Sequence, residues 1–172
     1  RVRLLWGCEA APSVRERVAV RFAEVPNIRV IGGDGLAPVP DAGLDLVVVN
    51  SVTQYLSEAE LDGLLAAWRR KLRPGGTLVL ADVLPPEDSL VADVTALLGV
   101  AAREGFFLAA LGGLAATFFS DYRKLRRREG LTRYTAAAML AKLRAAGFTA
   151  ERRPANLGFN QARMTFVARR TD

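Results

Sequence analysis

The chain has 172 residues, enough for one domain with a single well-formed core. Its 51% hydrophobic and 24% charged residues are those of an ordinary soluble globular protein, not of a disordered or fibrous one. One cysteine and no histidine exclude an internal disulfide framework and, within these residues, a Ser-His-Asp hydrolase, and they argue against a structural zinc site. A lone cysteine also fits a reducing compartment, so a cytoplasmic location is expected. The net charge is +6, concentrated at Arg123, Lys124, Arg126, Arg127 and Arg128 and again at Arg152, Arg153, Arg163, Arg169 and Arg170. Such patches can meet nucleic acid or an anionic membrane, but solvated surface is the favoured reading.

Residues 2–8 read as a short apolar strand ending at Glu9. Cys8 lies inside that run, which predicts a buried, inert thiol. Pro12 is allowed in the first turn of a helix whose apolar face is Val14, Val18 and Phe22. Residues 28–31 form a second strand, closed by the Gly32-Gly33-Asp34-Gly35 turn. After a loop marked by Pro38, Pro40, Asp41 and Gly43, residues 44–49 make a near-continuous apolar strand of the kind buried on both faces. It stops at the polar pair Asn50-Ser51, followed by Val52-Thr53-Gln54-Tyr55. Ser57 and Glu60 predict a capping box for a helix whose Leu61, Leu64, Leu65, Trp68 and Leu72 share one stripe. The sequence Leu72-Arg73-Pro74-Gly75-Gly76 then turns the chain into an apolar strand over 77–82. This β-α-β-loop-β-α-β order predicts a parallel sheet.

Beyond Pro85-Pro86 the pattern changes. Residues 88–103 read as a helix and 105–120 as a second, very apolar one carrying Phe106, Phe107, Leu108, Leu111, Leu114, Phe118 and Phe119. That run is shorter than the roughly 20 residues of a membrane span. Three readings stay open for it, in descending order: a core or lid helix, a subunit interface, or a helix lying on a membrane. Thr135 caps a last helix that ends at Gly147. Strands over 149–153 and 162–169 close the chain.

Polar groups at the carboxyl ends of such strands sit where open α/β sheets bind ligands. Glu9 is placed to accept hydrogen bonds from ribose hydroxyls, or simply to stabilise the next helix through its dipole. Asp34 can read an adenine edge, or bond its own turn. Asn50 can line a ligand or cap its turn. Tyr55 can orient an acceptor or pack into the core, and its ordinary pKa near 10 makes it a poor base. Asp82, ending the strand over 77–82, is either a second acceptor contact or a cap.

The block from Leu44 to Val83 resembles the fourth and fifth strands of a class I S-adenosylmethionine-dependent methyltransferase. Gly7-Cys8-Glu9-Ala10-Ala11-Pro12-Ser13 resembles the segment in which an acid ending the second strand holds the cofactor ribose. The resemblance implies an α/β fold: a doubly wound, mostly parallel, Rossmann-like sheet with an antiparallel C-terminal edge strand next to the fifth. One methyltransferase-like domain would span 1–172, with 88–128 as a helical insertion or lid. The implied cofactor is S-adenosylmethionine. Its implied contacts are Glu9 and Ala10 at the ribose, Asp34 and Gly35 at the adenine, and Asn50 and Ser51 along the methionine half. Tyr55 and Asp82 become the candidate acceptor contacts, Tyr55 standing where many small-molecule members carry histidine. Most members carry aspartate where this sequence has Glu9. The family's glycine-rich loop, which meets the methionine carboxylate, has no counterpart before Glu9. Aligned by strands, the sequence starts at the second strand, and the first, central in the sheet, is expected upstream.

The expected activity is methyl transfer to a small apolar or aromatic acceptor. An alternative is a non-catalytic or weakly catalytic module that uses the 105–120 helix for membrane or partner binding. A nicotinamide-dependent dehydrogenase would also place Glu9 on ribose, but the Pro-Gly-Gly turn and the closing strand pair argue against it. The expected partners are thus a small-molecule acceptor and, through the apolar helix, a membrane surface or a second copy in a homodimer; nucleic acid is not expected. The segment Asn156-Leu157-Gly158-Phe159-Asn160-Gln161-Ala162-Arg163 carries polar groups with no evident structural job, leaving an acceptor or subunit contact as its readings.

Overall fold

The computed structural model describes residues 2–32, 36–87, 90–105, 107–109 and 131–172. In chain order the elements are β1 (Leu5–Glu9), α1 (Pro12–Arg21), β2 (Ile28–Gly32), β3 (Leu44–Asn50), a 3-10 turn (Thr53–Tyr55), α2 (Glu58–Lys71), β4 (Leu72–Val83), α3 (Leu90–Arg103), α4 (Ala136–Ala145), β5 (Phe148–Arg152) and β6 (Met164–Arg170). The chain is a mixed α/β fold with parallel β1-β2 and β3-β4 pairs.

The core gathers around β4. Leu78, Leu80 and Val83 are fully buried there, under Leu61, Leu65 and Trp68 of α2, Met139 and Leu143 of α4, and Phe166 and Ala168 of β6. Each large apolar side chain so buried contributes about 1.5–3 kcal/mol. The start of α2 is set locally by the expected capping box: Glu60 N–H donates to Ser57 Oγ at 3.3 Å and Ser57 N–H donates to Glu60 Oε2 at 2.7 Å. The end of α2 is fixed by Lys71, whose buried Nζ donates to Val39 O at 2.6 Å and pairs with Asp41 at 2.7 Å. This cross-link holds the 36–43 loop and so the entry to β3.

The Pro-Gly-Gly sequence lies within β4 rather than before it. Register slips there, with Leu44 opposite Leu72 but Leu46 opposite Thr77. Gly75 has φ 68°, and a β-carbon on Gly76 would stand 2.8 Å from Arg73 O. Glycine takes the left-handed state at 75 without strain, and position 76 leaves no room for a side chain.

Among the described residues the strands form two separate sheets, β1-β2 and β3-β4-β6-β5. β6 runs antiparallel to β4, as the resemblance implies, but it lies inside the sheet; β5 takes the edge. That follows from α4, which leads into β5 and packs beside it, leaving β6 to return between β5 and β4. Among the described residues β1 pairs only with β2, and β3 only with β4.

The first unit is correspondingly open. No residue of α1 is buried, and Val14, Val18 and Phe22 are only half-buried. On β3, Leu46 and Val48 are 53% and 57% exposed, while their neighbours Val47 and Val49 face inward. Cys8 is exposed, correcting the expectation of a buried thiol; its Sγ donates to Gly32 O at 3.4 Å. An apolar run buries its side chains only where layers cover both faces, and β1 lacks such cover among the described residues.

α3 begins shortly after β4, as expected. The chain returns through residues 131–134, where Thr132 N–H donates to Gln54 O, Thr132 Oγ1 to Leu56 O and Tyr134 N–H to Leu84 O. The expected apolar helix over 105–120 and the Arg123–Arg128 cluster lie almost wholly outside the described residues. Phe107 and Leu108, which are described, are exposed. Among the described residues no helix is long and apolar enough to cross a membrane.

Candidate functional site

Glu9 is the last residue of β1 and stands opposite Gly32, the last of β2. Gly33, Asp34 and Gly35, which follow Gly32 in sequence, lie outside the described residues. Glu9 is half-buried and its Oε1 accepts the Ala11 N–H at 2.8 Å, so the helix-stabilising reading is realised with one carboxylate oxygen. Arg15 reaches back to Glu9 O at 3.2 Å and steadies the strand end. Ala10 is exposed at the junction.

At the end of β3, Asn50 is exposed and Ser51 half-buried. Ser51 has φ 57° and Asp82, near the end of β4, has φ 62°. Such left-handed states cost a non-glycine residue about 1–3 kcal/mol and persist only where surroundings enforce them. Ser51 Oγ donates to Asp82 Oδ2 at 2.6 Å, and Ser51 N–H donates to Ala81 O at 3.2 Å. Asp82 is 5% exposed. Its Oδ1 accepts from Asn156 Nδ2 at 2.9 Å, and Arg163 Nη1 donates to Oδ2 at 2.5 Å. Asn156 Oδ1 in turn accepts from the Asp82 N–H at 3.2 Å and from Thr165 Oγ1 at 2.7 Å.

The 156–163 segment thus has a structural job that its sequence did not disclose: Asn156 and Arg163 anchor it on Asp82. Gln161 stitches it internally, accepting from Asn156 N–H and donating to Gly158 O. Leu157 and Phe159 remain exposed on its outer side.

Tyr55 sits on the 3-10 turn and is 47% exposed. Beside it, Thr53 and Gln54 are buried, and Thr53 Oγ1 and Gln54 Oε1 have no hydrogen-bond partner among the described residues. Buried polar atoms without partners are rare enough to mark a place that needs explaining. Sequence reasoning passed them over; two polar residues in the turn after an apolar strand were the available signal. A cleft of about 340 Å³ between Pro85, Pro86, Thr135, Arg152 and Met164 is lined by Ala162 of the 156–163 segment but by none of Glu9, Ala10, Asn50, Ser51, Tyr55 and Asp82. The structure therefore brings Ser51 and Asp82 into contact and sets Glu9 opposite Gly32, the last described residue before Asp34. Glu9 and Asn50 end strands of different sheets.

Residues 2–80 match the family model of the methyltransferase domain. Solved structures extend the likeness over nearly the whole chain. A possible exported protein from Bordetella parapertussis is 20% identical with a TM-score of 0.60, over 98% of this chain and 54% of that one. The apo S-adenosylmethionine-dependent methyltransferase SibL is 18% identical with a TM-score of 0.61, over 98% and 44%. Human N-acetylserotonin methyltransferase in complex with S-adenosylmethionine is 17% identical with a TM-score of 0.61, over 98% and 41%. This chain spans about half the length of those proteins or less. No curated protein matches the sequence. The fold is shared with S-adenosylmethionine-dependent methyltransferases, and the family match over residues 2–80 takes in Glu9, Asn50 and Ser51.

Proposed function

We propose that this domain binds S-adenosylmethionine along the carboxyl ends of its parallel strands and transfers the methyl group to a small apolar or aromatic acceptor. The observation that carries the reading is the register of Glu9 with Gly32, because Gly33-Asp34-Gly35 follows Gly32 directly in sequence. Glu9 and Ala10 would hold the ribose, Asp34 and Gly35 the adenine, and Asn50 and Ser51 the methionine half. The donor set suits the group. Glu9 keeps one carboxylate oxygen for a hydroxyl, and Asn50 is exposed at its strand end.

When bound, the cofactor supplies an electrophilic methyl on a sulfonium. The protein's part is alignment and exclusion of water, which need little covalent help. With no histidine among these 172 residues, proton removal by imidazole is unavailable within the chain. An acceptor that is already nucleophilic fits that composition. Tyr55 would orient the acceptor from its exposed turn.

The 88–128 stretch is assigned as an acceptor lid. Both its attachments support this: it leaves from the carboxyl end of β4, and residues 131–134 return onto Gln54, Leu56 and Leu84. Its apolar sequence favours an apolar or aromatic acceptor. The test supplies methyl-labelled S-adenosylmethionine to the intact protein with a panel of small aromatic alcohols and amines and a panel of sugars. Label in the aromatic panel supports the reading. Label only in the sugars overturns the acceptor class.

A further inference from the structure

Ser51 and Asp82 follow directly on the register pair Asn50 and Ala81, at the ends of adjacent parallel strands, and both are left-handed without being glycine. What holds them there is one connected set of bonds. Asp82 receives the Ser51 hydroxyl, Asn156 Nδ2 and Arg163, while Thr165 locks the Asn156 oxygen that accepts the Asp82 N–H. Gly158 seals the arrangement, since a β-carbon there would stand 2.6 Å from Asp82 Oδ1. Asp82 is buried, and its carboxylate is directed at protein groups on both oxygens. Of the pair, Ser51 is the half-buried member, next to exposed Asn50.

We propose that Asp82, backed by Asn156 and Arg163, is a positioning residue that acts through Ser51. It fixes the backbone at the end of β3 and commits the Ser51 proton inward. Ser51 Oγ then presents only lone pairs outward and takes a hydrogen-bond donor of the ligand. This assignment differs from the acceptor contact expected of Asp82, and it rests on the cofactor reading above.

A double-mutant cycle on the intact protein tests it. Calorimetry with S-adenosylmethionine is run on the parent, Asp82→Asn, Ser51→Gly and the double variant, with thermal melts alongside. Glycine at 51 removes the hydroxyl and relieves the left-handed strain, leaving Asp82 nothing to position. Asp82→Asn should weaken binding about tenfold in the parent and less than about twofold in the Ser51→Gly background. Equal weakening in both backgrounds, or unchanged affinity with only a lowered melting point, overturns the proposal. Thr165→Val, which perturbs Asn156 from behind, repeats the cycle if Asp82→Asn does not fold. A parent protein that binds no S-adenosylmethionine refutes the cofactor reading itself, a result distinct from either outcome of the cycle.

Discussion

Gly158 lies so close to Asp82 that a β-carbon on the glycine would stand 2.6 Å from one carboxylate oxygen and 2.9 Å from Asn156 Nδ2. The loop before β6 is therefore fitted onto a buried acid, and the acid is neutralised by Arg163 from the same loop. The side chains of that pair are 8% and 10% exposed. Removing one partner of a buried pair leaves an uncompensated charge, a larger loss than the pair's own net worth.

Arg163→Met should therefore destabilise the protein by about 3–5 kcal/mol in chemical denaturation. Gly158→Ala should also destabilise, because the methyl forces the loop off Asp82 without removing charge. A change under about 0.5 kcal/mol for Arg163→Met, the size of an ordinary surface substitution, would mean that the pair does not hold the loop.

Asp41 predicts a pH dependence. Its hydrogen bond from Lys71, with help from Arg70, holds its carboxyl below the ordinary value of 3.8. A folded-state pKa below the unfolded one gives stability that is present above the unfolded pKa and lost as pH falls through the folded one. Melting temperature should thus decline on acidification below about pH 4, and Asp41→Asn should flatten that decline. Parallel profiles for parent and variant would remove Asp41 from the account.

The unpaired edge of β3 makes a third prediction. Leu46 and Val48 expose apolar surface on a strand with only one partner among the described residues. Such edges recruit other strands unless charge blocks them. This 172-residue chain should self-associate as concentration rises in light scattering, and Val48→Lys should suppress it while leaving the far-ultraviolet spectrum intact. A parent chain that stays monodisperse throughout would show that the edge is covered.

How much of this was legible beforehand follows from where the information sits. The Ser57-Glu60 box, the α2 stripe, the Thr135 cap and Gly147 are local patterns, and the structure repeats them with small shifts of boundary. Cys8 misled because an apolar run reports the burial that cover on both faces would give, and β1 lacks such cover among the described residues. The place of β6 between β4 and β5 depends on long-range pairing that no local pattern encodes. Asp82 is the instructive site residue. Its position at a strand end was readable, but its partners Asn156 and Arg163, and Thr165 that bonds Asn156, lie more than 70 residues away. Their spacing follows no period, so only the folded chain discloses the network.

The central claim is that the carboxyl ends of β1 and β2 hold the nucleoside of S-adenosylmethionine. Calorimetry on the intact protein measures it most directly, comparing the parent with Glu9→Ala and Asp34→Ala. The parent should bind, and Glu9→Ala should lose about 1–3 kcal/mol as charged hydrogen bonds to the ribose disappear. Asp34→Ala should weaken binding as well. Unchanged affinity in both variants, or a parent that does not bind, would contradict the account.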